Sequence, residues 1–309
     1  ARDEAQRIAR LNRAGGVFVT LDRNAANHPS GEIVVGRLSN PADQSSAMSL
    51  TDYPYNSVRV RARRAAERNG PLDLFFGPVL GVKSLELAAA ATATYEDGIA
   101  GFEIRPDAPG TTSKLLPFAL DVNFWNQVKS GAGPDEWAYD PATGKVTAGA
   151  DGVKEVRLFP TRGGAPGNFG TIDIGSAGNS TADIKRQILY GPNKSDFDAL
   201  GRPFRLDPDE PLVVNGDTGI SAGFLEQLLS IIGQPRVLPL YEPPVVGNGN
   251  NAQYTIVGFA GVIIVDADLT GSLTNKHIKI QPEFVIDETA VRGDAGSSDF
   301  VYRPLKLTR

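Results

Sequence analysis

Asp268, Thr270 and Ser272 stand at alternate positions just after the apolar run 261–265 (GVIIV) and carry the strongest chemical suggestion in the chain. One carboxylate and two hydroxyls so spaced can converge on a divalent cation through hard oxygen ligands. The residues that follow, NKHIKIQPEF, alternate like a strand, so a polar hairpin or strand edge is the competing reading. A second oxygen-rich set, Asp207, Asp209 and Glu210, lies in a proline-rich stretch without the spacing of an EF-hand loop. Solvated surface is its alternative. Calcium at either set is the single cofactor that the sequence leaves open.

Other chemistries are poorly served. There are two histidines, His28 in a polar turn and His277 opening a strand pattern, and neither lies in an HExxH or HxH context. No serine occupies a GxSxG turn, the setting of many nucleophilic triads. The chain has no cysteine, which excludes thiol catalysis, disulfides and cysteine-bound metal. Glycine-rich segments such as RGGAPGNFG lack a following GKS or GKT, so their glycines read as turn residues rather than a phosphate cradle. The N-x-S/T triplets at Asn179 and Asn193 are matches expected by chance. The sequence therefore reads as a non-enzymatic protein with no catalytic residue.

The elements that must position these residues are short. Thirty-four glycines and 22 prolines in 309 residues favour brief strands and many turns. A net charge of −5, with one basic cluster at 59–68 (RVRARRAAER), argues against a nucleic-acid partner. No apolar run approaches the roughly 18–20 residues needed to span a bilayer. Residues 1–14 (ARDEAQRIARLNRA) read as a helix with Ala5, Ile8, Ala9 and Asn12 on one face, stopped by Gly15 and Gly16. It begins without an N-cap, as a helix continued from upstream would.

Strands are expected at 17–21, 32–38, 58–64, 101–105, 155–159 and 172–174, and from residue 236 onward the pattern is β. Residues 85–95 (LELAAAATATY) fit helix or strand, and Thr92, Thr94 and Tyr95 favour strand at the end. Residues 180–189 and 222–232 read as helices, with a helical turn at 124–128 and a loop over 131–152. The linker PDAPG at 106–110 divides the chain into 1–105 and 106–309. No repeat of fixed period is present.

Several blocks, taken in order, resemble TadE/TadG-like proteins of the tight-adherence (Tad, or Flp) pilus-assembly system. They are ARLNRAGG at 9–16, EIVVGRL at 32–38, NSVRVRARR at 56–64, LFFGPVLG at 74–81, PGNFGTIDIG, NGDTGISAGF, YTIVGFAGVIIV and NKHIKIQPEFVID. The resemblance implies an envelope protein with its head outside the cytoplasm, anchored by a membrane helix upstream of Ala1. Residues 1–14 would be the lower end of that helix. TadG-type members often carry a von Willebrand A domain, and no proper adhesion-site motif accompanies Asp268 here.

The expected fold is α+β: a pilin-like N-terminal helix on antiparallel sheet, then a larger β-rich region with two short helices. The expected function is structural or assembly work in an extracytoplasmic pilus or fibre. It would proceed through contact with other pilus or envelope proteins, or with copies of itself. The alternatives are a major filament or surface-layer subunit and a calcium-dependent adhesin. Ile8, Leu11, Phe75 and Phe76 are the candidate contact residues, with core packing as the alternative for each.

Overall fold

A computed structural model describes residues 1–41, 43, 45–52, 55–108, 110–159, 170–175, 180–217, 222–247, 249–271, 275–293 and 298–307. The chain forms two compact units, Ala1–Glu96 with Leu305–Arg309, and Asp97–Pro304. Helices and strands are mixed, with sheet dominating.

The first unit opens with α1 (Arg2–Ala9), which is shorter than the 14 residues expected. It stops because β1 (Arg13–Ala14) and β2 (Val17–Phe18) pair as a hairpin, Ala14 opposite Val17. Gly15 and Gly16 have φ of 56° and 82°, the consecutive left-handed pair that a two-residue hairpin turn requires. They close a hairpin rather than stop a helix. α1 has no fully buried residue. Its alanine edge, Ala5 and Ala9, packs on a small core of Val19, Leu21 and Ile33.

Beneath that core, β3 (Ile33–Gly36) and β4 (Ser57–Arg64) pair antiparallel, Val35 opposite Val58. A narrow ribbon follows, β5 (Leu72–Asp73) against β6 (Ser84–Leu85). Then β7 (Leu87–Glu96) returns along β4, Arg61 opposite Ala90. Despite its alanines this segment is strand, with the Thr94 and Ser57 hydroxyls 2.9 Å apart across the sheet. Pairing with β4 outweighs alanine's helix propensity.

The second unit begins with β8 (Ile99–Phe102), β9 (Leu120–Asp121) and α2 (Val122–Lys129). Residues 131–152, expected as loop, contain the hairpin β10 (Trp137–Asp140) and β11 (Lys145–Ala148). Its DPATGK turn is held by the Asp140 carboxylate, which accepts from the Ala142 N–H at 2.9 Å. β12 (Val156–Phe159) and β13 (Thr171–Ile172) precede α3 (Thr181–Tyr190), capped by Ser180 as its sequence suggests. α4 (Lys194–Ala199) was not foreseen: Asn193, matched as a glycosylation triplet, forms a capping box with Asp196.

Then come β14 (Phe204–Arg205) and β15 (Leu212–Asp217). The helix expected over 222–232 is divided into a 3-10 turn, Ala222–Phe224, and α5 (Leu225–Ser230). The last strands that matter are β16 (Arg236–Val246), β17 (Ala252–Asp268), β18 (His277–Pro282), β19 (Val285–Ile286) and β20 (Ala290–Arg292).

β17 is the spine of the second unit. It pairs with β15 near its start (Val214 opposite Tyr254), with β16 along its middle (Leu238 opposite Ala260) and with β18 near its end (Ile264 opposite Ile280). It is buried along most of its length, which explains its nearly continuous apolar text, YTIVGFAGVIIV. One core gathers Val262, Ile264, Trp125 and Leu238; a second gathers Tyr254, Phe259, Phe102 and Phe204. Of the glycine-punctuated blocks, 166–169 and 218–221 lie outside the described residues.

Candidate interaction surface

The first unit carries an apolar surface that its own core does not use. Between β5 and β6 the chain turns through a 3-10 segment, Gly77–Leu80, opened by Pro78 and closed by Gly81 in the left-handed conformation. Gly77 has no room for a side chain, because an added Cβ would overlap the Val82 carbonyl oxygen. That tight fold turns the neighbouring side chains outward. Phe75 is 90% exposed, Phe76 74%, Val79 85% and Leu80 81%. The two phenyl rings meet edge to face with centroids 4.9 Å apart.

The N-terminal hairpin adds to this surface. Phe18 and Val17 are exposed, and the Arg13 guanidinium lies 4.1 Å from the Phe18 ring centroid. The nearly buried Arg64 connects the two features. Its Nη1 donates to the Ala14 carbonyl, Nε to Gly70 O at 2.8 Å and Nη2 to Pro71 O at 2.6 Å. One guanidinium thus fixes the turn end of the hairpin beside the root of the ribbon. A second anchor is Glu32, a buried carboxylate that accepts from the Asp22 N–H at 2.5 Å and the Arg63 Nε at 3.1 Å. Arg68 Nε lies 3.5 Å from the same carboxylate.

The residues singled out by sequence are distributed as follows. Ile8 is exposed on α1 and Leu11 just after it, and Phe75 and Phe76 crown the turn. Val79, Leu80, Val17 and Phe18 were missed. The available signal was that residues 74–82 contain no charged side chain around a Gly-Pro break.

The oxygen-rich sets are engaged in local turns. Asp268 Oδ1 accepts from both the N–H and the hydroxyl of Thr270, at 2.8 and 2.7 Å, which holds its carboxyl below the ordinary range. Ser272 lies outside the described residues. Asp207 accepts from the Asp209 N–H at 2.9 Å, while Glu210 faces Arg202 at 3.4 Å. Among the described residues no three His, Asp or Glu side chains are grouped closely enough to hold a metal. His28 pairs with Ser30 at 2.8 Å, and His277 contacts Asp266 at 2.8 Å through Nε2.

With this surface in view, the comparisons with known proteins fall on the same unit. Residues 1–93 match the family model described as "Putative Tad-like Flp pilus-assembly". The match supports a Tad-related pilus-assembly protein, and it lies wholly within the first unit. It suggests a role in pilus assembly, a structural task and association with the cell envelope. No curated protein and no solved structure matches the chain significantly. Among the described residues no helix is long and apolar enough to cross a membrane.

Proposed function

We propose that this chain is a non-enzymatic structural or assembly component of an extracytoplasmic Tad-type pilus, working by noncovalent contact with other pilus or envelope proteins. Ile8, Leu11, Phe75 and Phe76 form its contact set, presented by residues 1–105, with 106–309 as the larger β-rich region. α1 takes the part of the lower end of a pilin-like helix, and the packing of Ala5 and Ala9 against the core supports that reading. The observation that carries the proposal is the coincidence of two facts. The segment matched to the pilus-assembly family holds the consecutive exposed apolar cluster Phe75, Phe76, Val79 and Leu80, and exposed apolar clusters mark interaction sites.

The test is made in cells that produce the pilus. Ile8→Ser with Leu11→Ser, and Phe75→Ser with Phe76→Ser, are expected to reduce surface pili while the chain stays folded and abundant. Normal pilus numbers with all four residues replaced would reject the contact set.

A further inference from the structure

The larger unit holds a cleft of its own, built where α4, the turn after it and the β8–β14 pair meet. Asn193 and Asp196 close a capping box on α4, and Arg186 grips Asp196 at 2.6 and 2.9 Å, which ties the short helix to α3. Gly201, with φ of 67°, then turns the chain back towards Pro203 and β14. β14 lies so close on β8 that a Cβ at Gly101 would overlap the Phe204 carbonyl oxygen. The space left over is a cleft of about 340 Å³, within the size range of small-ligand sites.

Its apolar wall is aromatic. Phe197, half-buried, and Phe204, buried, have ring centroids 6.0 Å apart. Five charged residues share the lining: Glu103, Lys194, Asp198, Arg202 and Arg205. Two of them cancel, because Lys194 Nζ lies 2.7 Å from both Asp198 oxygens. The other three are incompletely engaged. Arg202 Nη2 lies 3.4 Å from Glu210, and its Nε–H, shut off from solvent, has no hydrogen-bond partner among the described residues. Among the described residues the exposed Arg205 donates to the Arg292 carbonyl at 3.3 Å and meets no carboxylate. Glu103 is fixed by its backbone, whose N–H donates to Thr289 O at 2.8 Å. Its exposed carboxylate has no partner among the described residues.

Two guanidiniums and one carboxylate are thus left to a ligand, beside phenyl rings. A simple anion would be repelled by Glu103, and a simple cation by the arginines. A ligand with both charges and an apolar side chain satisfies all three groups, and the volume suits one of amino-acid or dipeptide size. We propose that this cleft binds a small apolar amino acid or dipeptide as its zwitterion. The side chain packs on Phe197 and Phe204, the carboxylate takes the forked donors of Arg202 and Arg205, and the ammonium takes Glu103. The site lies outside residues 1–93, so it stands apart from the contact set and from the pilus reading.

The experiment is isothermal titration calorimetry on the full chain with L-phenylalanine, L-leucyl-L-phenylalanine and N-acetyl-L-phenylalanine. The native chain is expected to bind one of the first two saturably, and the tighter of them identifies the source as free amino acid or dipeptide. The acetylated compound keeps the ring and the carboxylate but lacks the ammonium, so it should bind at least about tenfold more weakly. Arg205→Gln should weaken the tighter probe about tenfold. Glu103→Gln should weaken it as much without weakening the acetylated compound, a selectivity that loss of fold would not produce. Saturable binding of neither free probe, equal binding of the acetylated compound, or unchanged affinity in either variant would overturn the proposal.

Discussion

The two units solve the burial problem in opposite ways. In Asp97–Pro304, β17 is paired along both its early and late halves, and two clusters rich in aromatic and aliphatic side chains flank it. In the first unit the fully buried cluster is Val19, Leu21 and Ile33, surrounded by alanines and half-buried valines. Much of that unit's order comes from polar anchors instead, chiefly Glu32 with its two arginines and Arg64 with its carbonyls. Its large apolar side chains are spent on the surface. A domain core confers stability, whereas exposed phenyl rings on a polar-anchored frame serve contact. The family match falls on the second kind of unit.

The comparison is broken most directly in the larger unit. Phe259 is fully buried and meets Phe102 edge to face at 4.9 Å. Phe259→Ala should cost about 3–5 kcal/mol, read by denaturant unfolding followed through Trp125 and Trp137, the chain's two tryptophans. Next comes the polar anchor of the smaller unit. Glu32→Ala leaves Arg63 and Arg68 without their buried partner and should cost about 3 kcal/mol. Hydrogen exchange at β3 and β4 amides would show it, and unchanged protection there would mean that the anchor is dispensable. Arg64→Ala strands the carbonyls of Ala14, Gly70 and Pro71 and should cost about 2 kcal/mol, with faster exchange confined to the hairpin and ribbon.

A smaller effect separates the units by pH. Burial raises the Tyr254 phenol from its ordinary 10 to about 12, so the folded state holds this proton more tightly than the unfolded chain. The contribution is fully present below about pH 10 and is lost as pH climbs towards 12. Among the described residues its hydroxyl has no hydrogen-bond partner. Tyr254→Phe should therefore be neutral or stabilise by up to about 1 kcal/mol, and it should flatten the alkaline slope of the second unit. Phe75→Ser with Phe76→Ser should alter stability least, by about 0.5 kcal/mol or less. A large drop in melting temperature would show that the turn belongs to a core after all.

Much of the fold was legible where local chemistry decides it. Ser180 caps α3 as its side chain allows, and the apolar run at 254–265 becomes the buried spine. The misreadings share a cause. Residues 1–14 have helical periodicity, yet strand pairing of Arg13 with Phe18 takes the last turn. Alanines 88–91 have helix propensity, yet β4 lies ready to pair with them. The candidate surface was half visible: Phe75 and Phe76 were named, but an apolar run cannot reveal whether it faces in or out.

The sequence alone determined what this protein lacks and what it resembles. The absence of cysteine excludes thiol catalysis and disulfides, because both need that side chain. Of the blocks that carry the resemblance, the four between residues 9 and 81 fall within the family match over residues 1–93, and the other four lie outside it. Tertiary structure decided which apolar residues are core and which are surface. That depends on a backbone fold around Gly77 and on Arg64 joining segments about 50 residues apart. Burial is a property of distant neighbours, and no local pattern records it.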